Sequence, residues 1–272
     1  MSKAAKDILN ITNDQILKTR GIVPVCFSEV DSTNSAARRY AAEGGAVPAL
    51  FVADSQSAGR GRMGRTFFSP AGTGIYMTLL FDVTADAPTS AVAMTSAAAV
   101  AVVSATERLT GAECKIKWVN DVYVDERKAC GILAEAFTVE EKRYACVGVG
   151  INLMTTDFPE ELRDIAGSLG KDFSEECRWE LTVGIAAEIF DIYSRIRAGD
   201  ASYMAEYRRR SMVLGKRVTF VRNGMTEEGL AVRINDDGGL VVEKDDGTSA
   251  VLSSGEITLR VNTYQDEREK LR

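Results

Sequence analysis

A stretch of 20 residues without a single charge, from Ala87 to Thr106, restricts the architectures open to this chain. Its length is about that of a helix that crosses a bilayer. It consists mainly of Ala, Ser, Thr and Val, however, and contains no Leu, Ile or Phe, so it is too weakly apolar for a membrane span. We expect a closely packed helix that begins at Pro88 and is buried in a globular core, with no membrane association.

The size and composition of the chain indicate a globular protein. Its 272 residues suffice for one large domain and one small one, and 45% of them are apolar. The sequence pI of about 5.0 argues against general binding to nucleic acid, which needs a basic surface. The N-terminal segment lacks the apolar centre of a signal peptide. We therefore expect a cytoplasmic protein.

Two residue types limit the chemistry. The five cysteines form no C-x-x-C pair, so neither a disulfide framework nor a zinc site is indicated, and a reducing compartment fits. The chain contains no histidine. This absence excludes histidine triads, histidine metal ligands and imidazole bases. Any catalysis must use carboxylates, Lys, Arg, Ser, Thr, Tyr, backbone dipoles or a metal ion held by oxygen atoms.

The pattern of apolar residues up to position 212 mixes strands with helices in no strict βαβ order, which predicts an α+β or mixed α/β domain. Strands are predicted over 22–30, 48–54, 74–83, 115–124, 128–137 and 143–153. Helices are predicted over 1–20, within 31–45, in the uncharged segment and over about 175–210.

The composition changes near Leu214. Short alternating runs follow, separated by Asn223-Gly224, by 236–239 and by 245–247. Asn-Gly and Asp-Gly steps between such runs predict β-hairpins, and therefore a small antiparallel barrel or sandwich. We divide the chain into a short helical segment (1–21), a main domain (22–212) and a small C-terminal domain (213–272).

The segment QSAGRGRMGR, Gln56 to Arg65, places three arginines and three glycines in ten residues of a chain with a net charge of -6. The nearest acid along the chain is Asp54, so neighbouring residues are not expected to neutralise these arginines. Guanidinium and backbone N–H groups suit a phosphate or a carboxylate, and glycine lets the backbone approach a ligand closely. The segment is therefore predicted to be an anion-binding loop, mobile when empty and ordered over its ligand; the alternative is a solvated surface loop.

Three other interpretations of glycine-rich motifs are less consistent with the sequence. Residues 59–66 match a P-loop except that Arg65 replaces its lysine, but Pro70 and the glycines that follow prevent the helix that a P-loop requires. GVGINL (148–153) lacks the third glycine of a dinucleotide-binding motif. A Gly/Arg-rich RNA-binding tail is disfavoured because the single copy lies between predicted core strands of an acidic protein.

Several motifs, taken in order, resemble those of biotin protein ligases. GRGRMGR (59–65) resembles the family's GRGRxGR loop, KWVND (117–121) resembles KWPND, and RKACGILAE (127–135) resembles RKxxGILxE. DSTN (31–34), GVGIN (148–152) and GEITLR (255–260) also have counterparts there. The resemblance implies an α+β fold with a mixed sheet like that of class II synthetases, and a small SH3-like β-barrel at the C-terminus.

The same resemblance implies a reaction in two steps. Biotin and ATP, with Mg²⁺, give biotinyl-5′-AMP and pyrophosphate, and the biotinyl group then passes to one lysine of a biotin carboxyl carrier protein or domain, as in acetyl-CoA carboxylase. Mg²⁺ accompanies ATP, and no residue is assigned as its ligand. No permanently bound cofactor is expected. A carboxylate is already a nucleophile at neutral pH, so the lack of histidine does not impede the first step.

The resemblance also assigns residues. For biotin it implies contacts from Ser32, Thr33, Asn34, Gln56, Arg60, Gly61, Arg62, Lys128, Gly131 and Leu133. For ATP or the adenylate it implies Gly59, Arg60, Arg62, Arg65, Asn120, Lys128, Asn152, Glu256 and Arg260. Arg62, Lys128 and Asp121 are the expected catalytic groups, with Asp121 positioning or helping to deprotonate the acceptor amine.

Simpler interpretations of these residues stay open at this point. DSTN also suits the N-terminal cap of a helix. Without the family resemblance, Lys128 is better explained as a surface lysine beside the turn at Asp125 and Glu126. Glu256 and Arg260 have the spacing to pair with each other instead of reaching a nucleotide.

The chain departs from the family pattern in four respects. Val119 replaces the proline of KWPND, which removes a fixed φ beside Asn120. Phe67 and Phe68 stand where the family often has Trp-Phe, so the wall of the biotin pocket is expected to differ slightly. No aromatic residue is assigned to adenine. The 21 residues before the first predicted strand are too few for the winged-helix DNA-binding domain of the family's two-function members, so no repressor function is expected.

Two other functions remain as alternatives. One is a lipoate or octanoate ligase or transferase of the same fold, which is not expected to combine GRGRMGR with KWVND. The other is a non-catalytic biotin-sensing or DNA-binding regulator, which the acidic charge disfavours. An exposed sheet face would also permit a homodimer.

Overall fold

The computed structural model describes residues 14–85, 91–170, 173–222, 224–253 and 260–262. Its larger sheet has seven strands in the order β1-β2-β3-β7-β6-β5-β4. Strands β1 and β2 are parallel, whereas every other neighbouring pair is antiparallel, so the sheet is mixed. The strands are β1 Val23–Val30, β2 Ala49–Gln56, β3 Gly74–Asp82, β4 Lys115–Lys117, β5 Asp121–Val124, β6 Arg127–Val139 and β7 Lys142–Asn152.

Helices cover both faces of this sheet, which explains why its central strands are apolar at consecutive positions. The described helices are α1 Gln15–Thr19, α2 Thr33–Ala42, α3 Ala91–Thr110, α4 Glu175–Arg197 and α5 Tyr203–Arg209. In β2, Phe51 packs in a small cluster with residues of α2, whereas Leu50 and Val52 point into the main core with α3 and α4. Alternate side chains therefore serve two cores, as the pleat of a strand requires. The expected α+β fold with a mixed sheet is confirmed.

Helix α3 corresponds to the uncharged segment. It is the one helix among the described residues that is long and apolar enough to cross a membrane. Most of it is nevertheless buried inside the protein, where Ala98 and Ala101 are fully enclosed. Its small side chains let α4 and strands of the larger sheet approach closely, as expected for a core helix. Pro88, the expected first residue of this helix, lies outside the described residues.

The predicted hairpins form a second sheet of five antiparallel strands in the order β11-β10-β9-β8-β12. These strands are β8 Arg217–Arg222, β9 Met225–Ile234, β10 Leu240–Glu243, β11 Ser249–Leu252 and β12 Arg260–Asn262. Two of the turns contain Gly238 (φ 85°) and Gly247 (φ 81°), in the region that favours glycine. The small antiparallel unit expected at the C-terminus is therefore present.

The strand predicted over 115–124 is wrong as a single strand. It is interrupted by a turn at Trp118–Asn120, and the Trp118–Val119 peptide bond is cis. Trp118 Nε1 donates a hydrogen bond to the Gly238 carbonyl at 2.8 Å, and Tyr207 OH donates one to the Val119 carbonyl at 2.9 Å. Contacts with distant parts of the chain thus hold the turn, which local apolar patterning does not reveal.

Two helical predictions also need adjustment. The region over 175–210 contains two helices, because α4 ends at Arg197 and α5 begins at Tyr203. Of the helix predicted over 1–20, the structure describes α1, and residues 1–13 lie outside the described part. Asp14 caps α1 by accepting hydrogen bonds from the N–H groups of Ile16 and Leu17.

Candidate active site

A cavity of about 310 Å³ opens between β6, β7, the start of α2 and the arginine loop. It brings together most residues that the sequence motifs singled out. Those that line it are Ser32, Thr33, Asn34, Gln56, Arg60, Gly61, Arg62, Arg65, Asn120, Asp121, Lys128, Gly131, Leu133 and Asn152. Gly59 is not among the lining residues, Glu256 lies outside the described residues, and Arg260 is described as part of β12.

The arginine loop folds back on itself at the mouth of this cavity. Gly61 N–H donates to the Arg65 carbonyl at 2.7 Å, and Phe67 N–H donates to the Gly59 carbonyl at 2.9 Å. Between them, residues 62–64 form a single tight turn. The chain then passes through an irregular segment into β3 without forming a helix, so the exclusion of a P-loop is confirmed.

One end of the cavity, which we call the charged end, is formed by Arg62, Lys117, Asn120, Asp121 and Lys128. Arg62 Nη1 donates to Asn120 Oδ1 at 2.8 Å, and Asn120 Nδ2 donates to Asp121 Oδ1 at 2.9 Å. Lys128 Nζ lies 2.7 Å from the same carboxylate oxygen. Asn120 in the turn and Asp121, the first residue of β5, therefore connect the loop arginine to the strand lysine.

Burial affects the cations at the charged end. It lowers the pKa of the Arg62 guanidinium, although the Asp121 carboxylate acts in the opposite direction. Burial likewise lowers the pKa of Lys117, again opposed by Asp121. Partly desolvated cations interact more strongly with an anion than cations in water do. Sequence reasoning gave Lys117 no role, although its place as the first residue of KWVND was a usable signal.

The side chain of Lys128 lies in the cavity and not on the turn at Asp125 and Glu126. Its backbone N–H donates to the Ile165 carbonyl, and its carbonyl accepts from Gly167 N–H, which fixes this part of β6. The side chain is 29% exposed and passes close to Gly131, where an added Cβ would come within 3.4 Å of Lys128 Cε. The absence of a side chain at Gly131 thus leaves space for the stem of the lysine.

The other end of the cavity, which we call the amide end, is formed by Ser32, Thr33, Asn34 and Gln56. Gln56 Oε1 accepts from the backbone N–H of Thr33 at 2.9 Å, and Asn34 Oδ1 accepts from Thr78 Oγ1 at 2.6 Å. Ser32 occupies the N-cap position of α2, but its side chain makes no capping hydrogen bond. These groups are neutral hydrogen-bonding groups, in contrast with the charged end.

The nearest acid along the chain pairs elsewhere, but Arg60 has an acidic partner on a strand distant in sequence, which the local pattern did not indicate. Arg60 forms a two-bond ion pair with Glu135, with Nη1 at 2.9 Å and Nη2 at 2.8 Å from the carboxylate oxygens. Asp54, the nearest acid along the chain, instead accepts from the buried Arg178 at 2.8 Å. The partner of Arg60 is 75 residues away in sequence and is brought next to it by the sheet.

The glycines of GVGIN make space for two side chains of the site. A Cβ at Gly148 would lie 2.2 Å from Asn34 Oδ1, and a Cβ at Gly150 would lie 2.5 Å from the Phe67 ring. Phe67 also packs edge-on against Tyr76, with ring centroids 6.4 Å apart. These glycines therefore belong to the wall of the cavity. Their close packing against Asn34 and Phe67 explains the glycines of GVGIN, and no dinucleotide-binding site is needed to account for them.

The site has no evident metal cage. Among the residues that the structure describes, no group of three or more Asp, Glu or Cys side chains is arranged to hold a metal ion. The carboxylate at the charged end is that of Asp121, which already accepts from Asn120 and contacts Lys128. The arrangement suits a ligand that has a neutral hydrogen-bonding head and an anionic tail.

Comparisons with known proteins agree with this geometry. A family model described as "Biotin/lipoate A/B protein ligase family" matches residues 28–152, and a model described as "Biotin protein ligase C terminal domain" matches residues 213–260. The "Bifunctional ligase/repressor BirA" of Bacillus spizizenii is 32% identical over 234 residues, which cover 83% of this chain and 70% of that protein.

Two further similarities cover most of the related protein. The "Biotin--[acetyl-CoA-carboxylase] ligase" of Mycobacterium tuberculosis is 31% identical over 248 residues, covering 85% of this chain and 86% of the relative. The structure of a biotin protein ligase from Aquifex aeolicus in complex with biotin and ATP superposes with a TM-score of 0.74 at 27% identity, covering 88% of this chain and 99% of that one. On this evidence, the chain belongs to the biotin protein ligase family.

Proposed function

We propose that the protein is a biotin protein ligase, which joins biotin to ATP as biotinyl-5′-AMP and then transfers biotin to one lysine of a carrier protein. The observation that carries this proposal is that the two ends of one cavity differ in chemistry, one being neutral and the other charged. Its amide end offers neutral hydrogen bonds to a ureido ring, and its charged end offers Arg62, Lys117 and Lys128 to a carboxylate and a phosphate. Biotin and its adenylate combine these two kinds of group in one molecule.

In the first step, an oxygen of the biotin carboxylate attacks the α-phosphorus of ATP. A bond forms between that oxygen and phosphorus, and the bond to the bridging oxygen of pyrophosphate breaks. Negative charge accumulates on the phosphoryl and leaving oxygens during the transfer. We expect Arg62 and Lys128 to stabilise that charge, and the hydrogen bond of Arg62 to Asn120 and the space that Gly131 leaves for Lys128 support this role. Mg²⁺ enters as part of the ATP substrate.

In the second step, the neutral amine of the acceptor lysine attacks the acyl carbon of the adenylate. The amide bond forms, the bond between the acyl carbon and the phosphate oxygen breaks, and AMP leaves. The amine must lose a proton, and Asp121 is the carboxylate at the charged end that can position it or accept its proton. Lys128 can bind the departing phosphate.

The name of the Mycobacterium tuberculosis relative supports acetyl-CoA carboxylase as the class of acceptor. We therefore expect the substrate to be a biotin carboxyl carrier domain and the reaction to take place in the cytoplasm. The four side chains that form the amide end are neutral, and the Arg60–Glu135 ion pair beside them is balanced, which fits a ureido ring better than a second anion.

The direct test is to incubate the purified protein with ATP, Mg²⁺, radiolabelled biotin and an apo-carrier domain. Label should appear on the carrier only when ATP is present, and a carrier whose acceptor lysine is replaced by arginine should stay unlabelled. Parallel reactions with lipoate and octanoate examine the related activity. Absence of biotin label from the intact carrier would overturn the proposal, and transfer of lipoate but not biotin would assign the chain to the lipoate branch.

A further inference from the structure

Glu135, on β6, connects the arginine loop to the amide end of the cavity. Its carboxylate binds both Nη atoms of Arg60, and its Oε2 also accepts from Asn34 Nδ2 at 3.0 Å. Its side chain is 19% exposed. No step of the proposed chemistry uses this residue. We propose that Glu135 is a positioning residue that fixes which side of the Asn34 amide faces the ligand and so selects a ligand with an N–H donor. This inference rests on the proposed function.

The hydrogen bonds of Asn34 allow only one orientation of its amide. The Glu135 carboxylate and the Leu133 carbonyl are both acceptors, so the nitrogen of the amide must face them, at 3.0 and 3.3 Å. The amide oxygen then lies beside Gly148, in the cavity wall, and accepts from Thr78. An amide oxygen accepts two hydrogen bonds, so one position remains for a donor on the ligand.

Glu135 supplies the shorter and charge-assisted of the two contacts that fix this orientation, at 3.0 Å compared with 3.3 Å for the Leu133 carbonyl. A carboxylate only accepts, whereas a glutamine amide can turn and offer either a donor or an acceptor. With glutamine at this position, the longer hydrogen bond to the Leu133 carbonyl would remain to oppose a turn of the Asn34 nitrogen toward the cavity, and the stronger constraint would be lost. The carboxylate also binds the guanidinium of Arg60 through two charge-assisted hydrogen bonds. Glu135 therefore links the arginine loop to Asn34, the residue that would recognise the ligand.

The ligand chemistry follows from this arrangement. A ureido N–H can donate to Asn34 Oδ1. In a cyclic carbamate, oxygen replaces one ureido N–H, so the ring oxygen and Asn34 Oδ1, both acceptors, would face each other. Leaving a buried acceptor unsatisfied is costly, so a site built around such a group discriminates strongly against an analogue that lacks the donor. Glu135 would therefore act on specificity through Asn34, without touching biotin.

The test compares biotin with its two carbamate analogues, each lacking one ureido N–H, by calorimetric titration of the full chain without ATP. The wild type should bind biotin at least about tenfold more tightly than one of the two carbamates. Glu135→Gln should reduce this preference about tenfold or remove it. Glu141→Gln, an exposed residue in the turn that joins β6 to β7, is the matched control and should keep the wild-type ratio.

A second variant separates positioning from stability. In Asn34→Asp combined with Glu135→Gln the charge of the pair is conserved, an oxygen faces the cavity again, and the glutamine amide supplies the donor between the two residues. The preference for biotin should return toward the wild-type ratio. A purely structural role for Glu135 would not be repaired by moving the carboxylate to position 34.

The results that would overturn the role of Glu135 differ from those that would overturn the proposed function. If the wild type does not bind biotin, the proposed function fails. If the wild type binds biotin with the expected preference and Glu135→Gln leaves the ratio unchanged, the positioning role is overturned while the function stands. A Glu135→Gln protein that does not fold, or a double variant that folds without restoring the preference, would assign Glu135 to stability and would equally overturn the inference.

Discussion

Lys128 Nζ lies 2.7 Å from Asp121 Oδ1, so the cation and the carboxylate that the proposed reaction uses in successive steps are in direct contact. Each neutralises part of the charge of the other before a ligand is bound. A phosphate or carboxylate that enters the charged end would compete with Asp121 for Lys128. The contact therefore connects occupation of the site to the availability of the Asp121 carboxylate, and it leads to opposite expectations for the two residues.

Lys128→Ala should nearly abolish adenylate formation. The variant lacks a cation that stabilises the charge on the phosphoryl group, and loss of one such fixed group typically costs about a hundredfold or more in rate. Pyrophosphate release with saturating biotin and ATP is the measurement. Lys142→Ala, at the exposed end of β7, is the control and should behave as the wild type. Near-normal pyrophosphate release would return Lys128 to the status of a surface lysine.

Asp121→Asn should preserve the first step of the reaction and impair the second. Adenylate formation should persist, because the carboxylate is not needed to activate another carboxylate, while transfer to the carrier lysine should fall by about a hundredfold or more. Single-turnover transfer from preformed biotinyl-5′-AMP separates this step from the first. Equal losses in both steps would show that Asp121 mainly positions Lys128 and does not act on the acceptor amine.

Arg62→Ala should weaken retention of the adenylate. The guanidinium is partly desolvated and held by Asn120 at 2.8 Å, so its charge-assisted hydrogen bonds to the ligand should be worth about tenfold or more in dissociation rate. Release of labelled adenylate from the purified complex is the measurement. Arg195→Ala, exposed on α4, provides the control. An unchanged release rate would contradict the role of Arg62.

Gly150→Ala should impair biotin binding by steric displacement. The new Cβ would lie 2.5 Å from the Phe67 ring, and overpacking of this kind costs about 1–3 kcal/mol, or about tenfold to a hundredfold in affinity. Phe67→Val should partly restore binding in the double variant, because it removes the colliding ring atoms. Gly184→Ala, on α4, is the control, since its Cβ would meet only Arg108 at 3.7 Å. No change in the biotin Kd of Gly150→Ala would show that the ring moves freely.

Glu206 makes stability dependent on acid pH. Hydrogen bonding to Arg209, together with that to Arg210, lowers the pKa of its carboxyl from 4.5 to about 2. A carboxyl whose pKa is lower in the folded state contributes stability that is present above its unfolded-state pKa and is lost as the pH falls toward the folded-state value. Glu206→Gln should therefore reduce the free energy of unfolding at neutral pH, by about 0.5–1 kcal/mol for a partly exposed network.

Urea denaturation at neutral pH and at successively lower pH checks this expectation. The difference between wild type and Glu206→Gln should shrink as the pH falls from about 4.5 toward about 2. Glu180→Gln, an exposed carboxylate on α4, should show no comparable difference. A difference between wild type and Glu206→Gln that does not vary with pH would mean that lost packing, and not the ion pairs, causes the destabilisation.

The elements that local patterning predicted well are those whose cause is local. The alternation in β8 and β9 and the turn glycines Gly238 and Gly247 specify hairpins without reference to the rest of the chain. The helix over Ala91–Thr110 follows from a long run of small apolar residues that only a core can accommodate. The motifs similarly identify most residues around the cavity, because each motif is contiguous in sequence.

The failures share a different cause. The break at Trp118–Asn120 depends on hydrogen bonds to Gly238 and from Tyr207, which are 120 and 88 residues away from their partners. The pairing of Arg60 depends on Glu135, which local charge counting cannot find. Neither contact leaves a periodic or compositional signal near the residue that it constrains.

The sequence by itself therefore determined most of the secondary structure elements, the lack of imidazole chemistry and the set of side chains available to an anion and a neutral head group. Only the tertiary structure decided how they are divided, with Arg62 beside Asn120 at one end of the cavity and Arg60 held by Glu135 at the other. The physical reason is that propensity and periodicity act over a few residues, whereas charges and hydrogen bonds pair with whichever groups the sheet brings within about 3 Å.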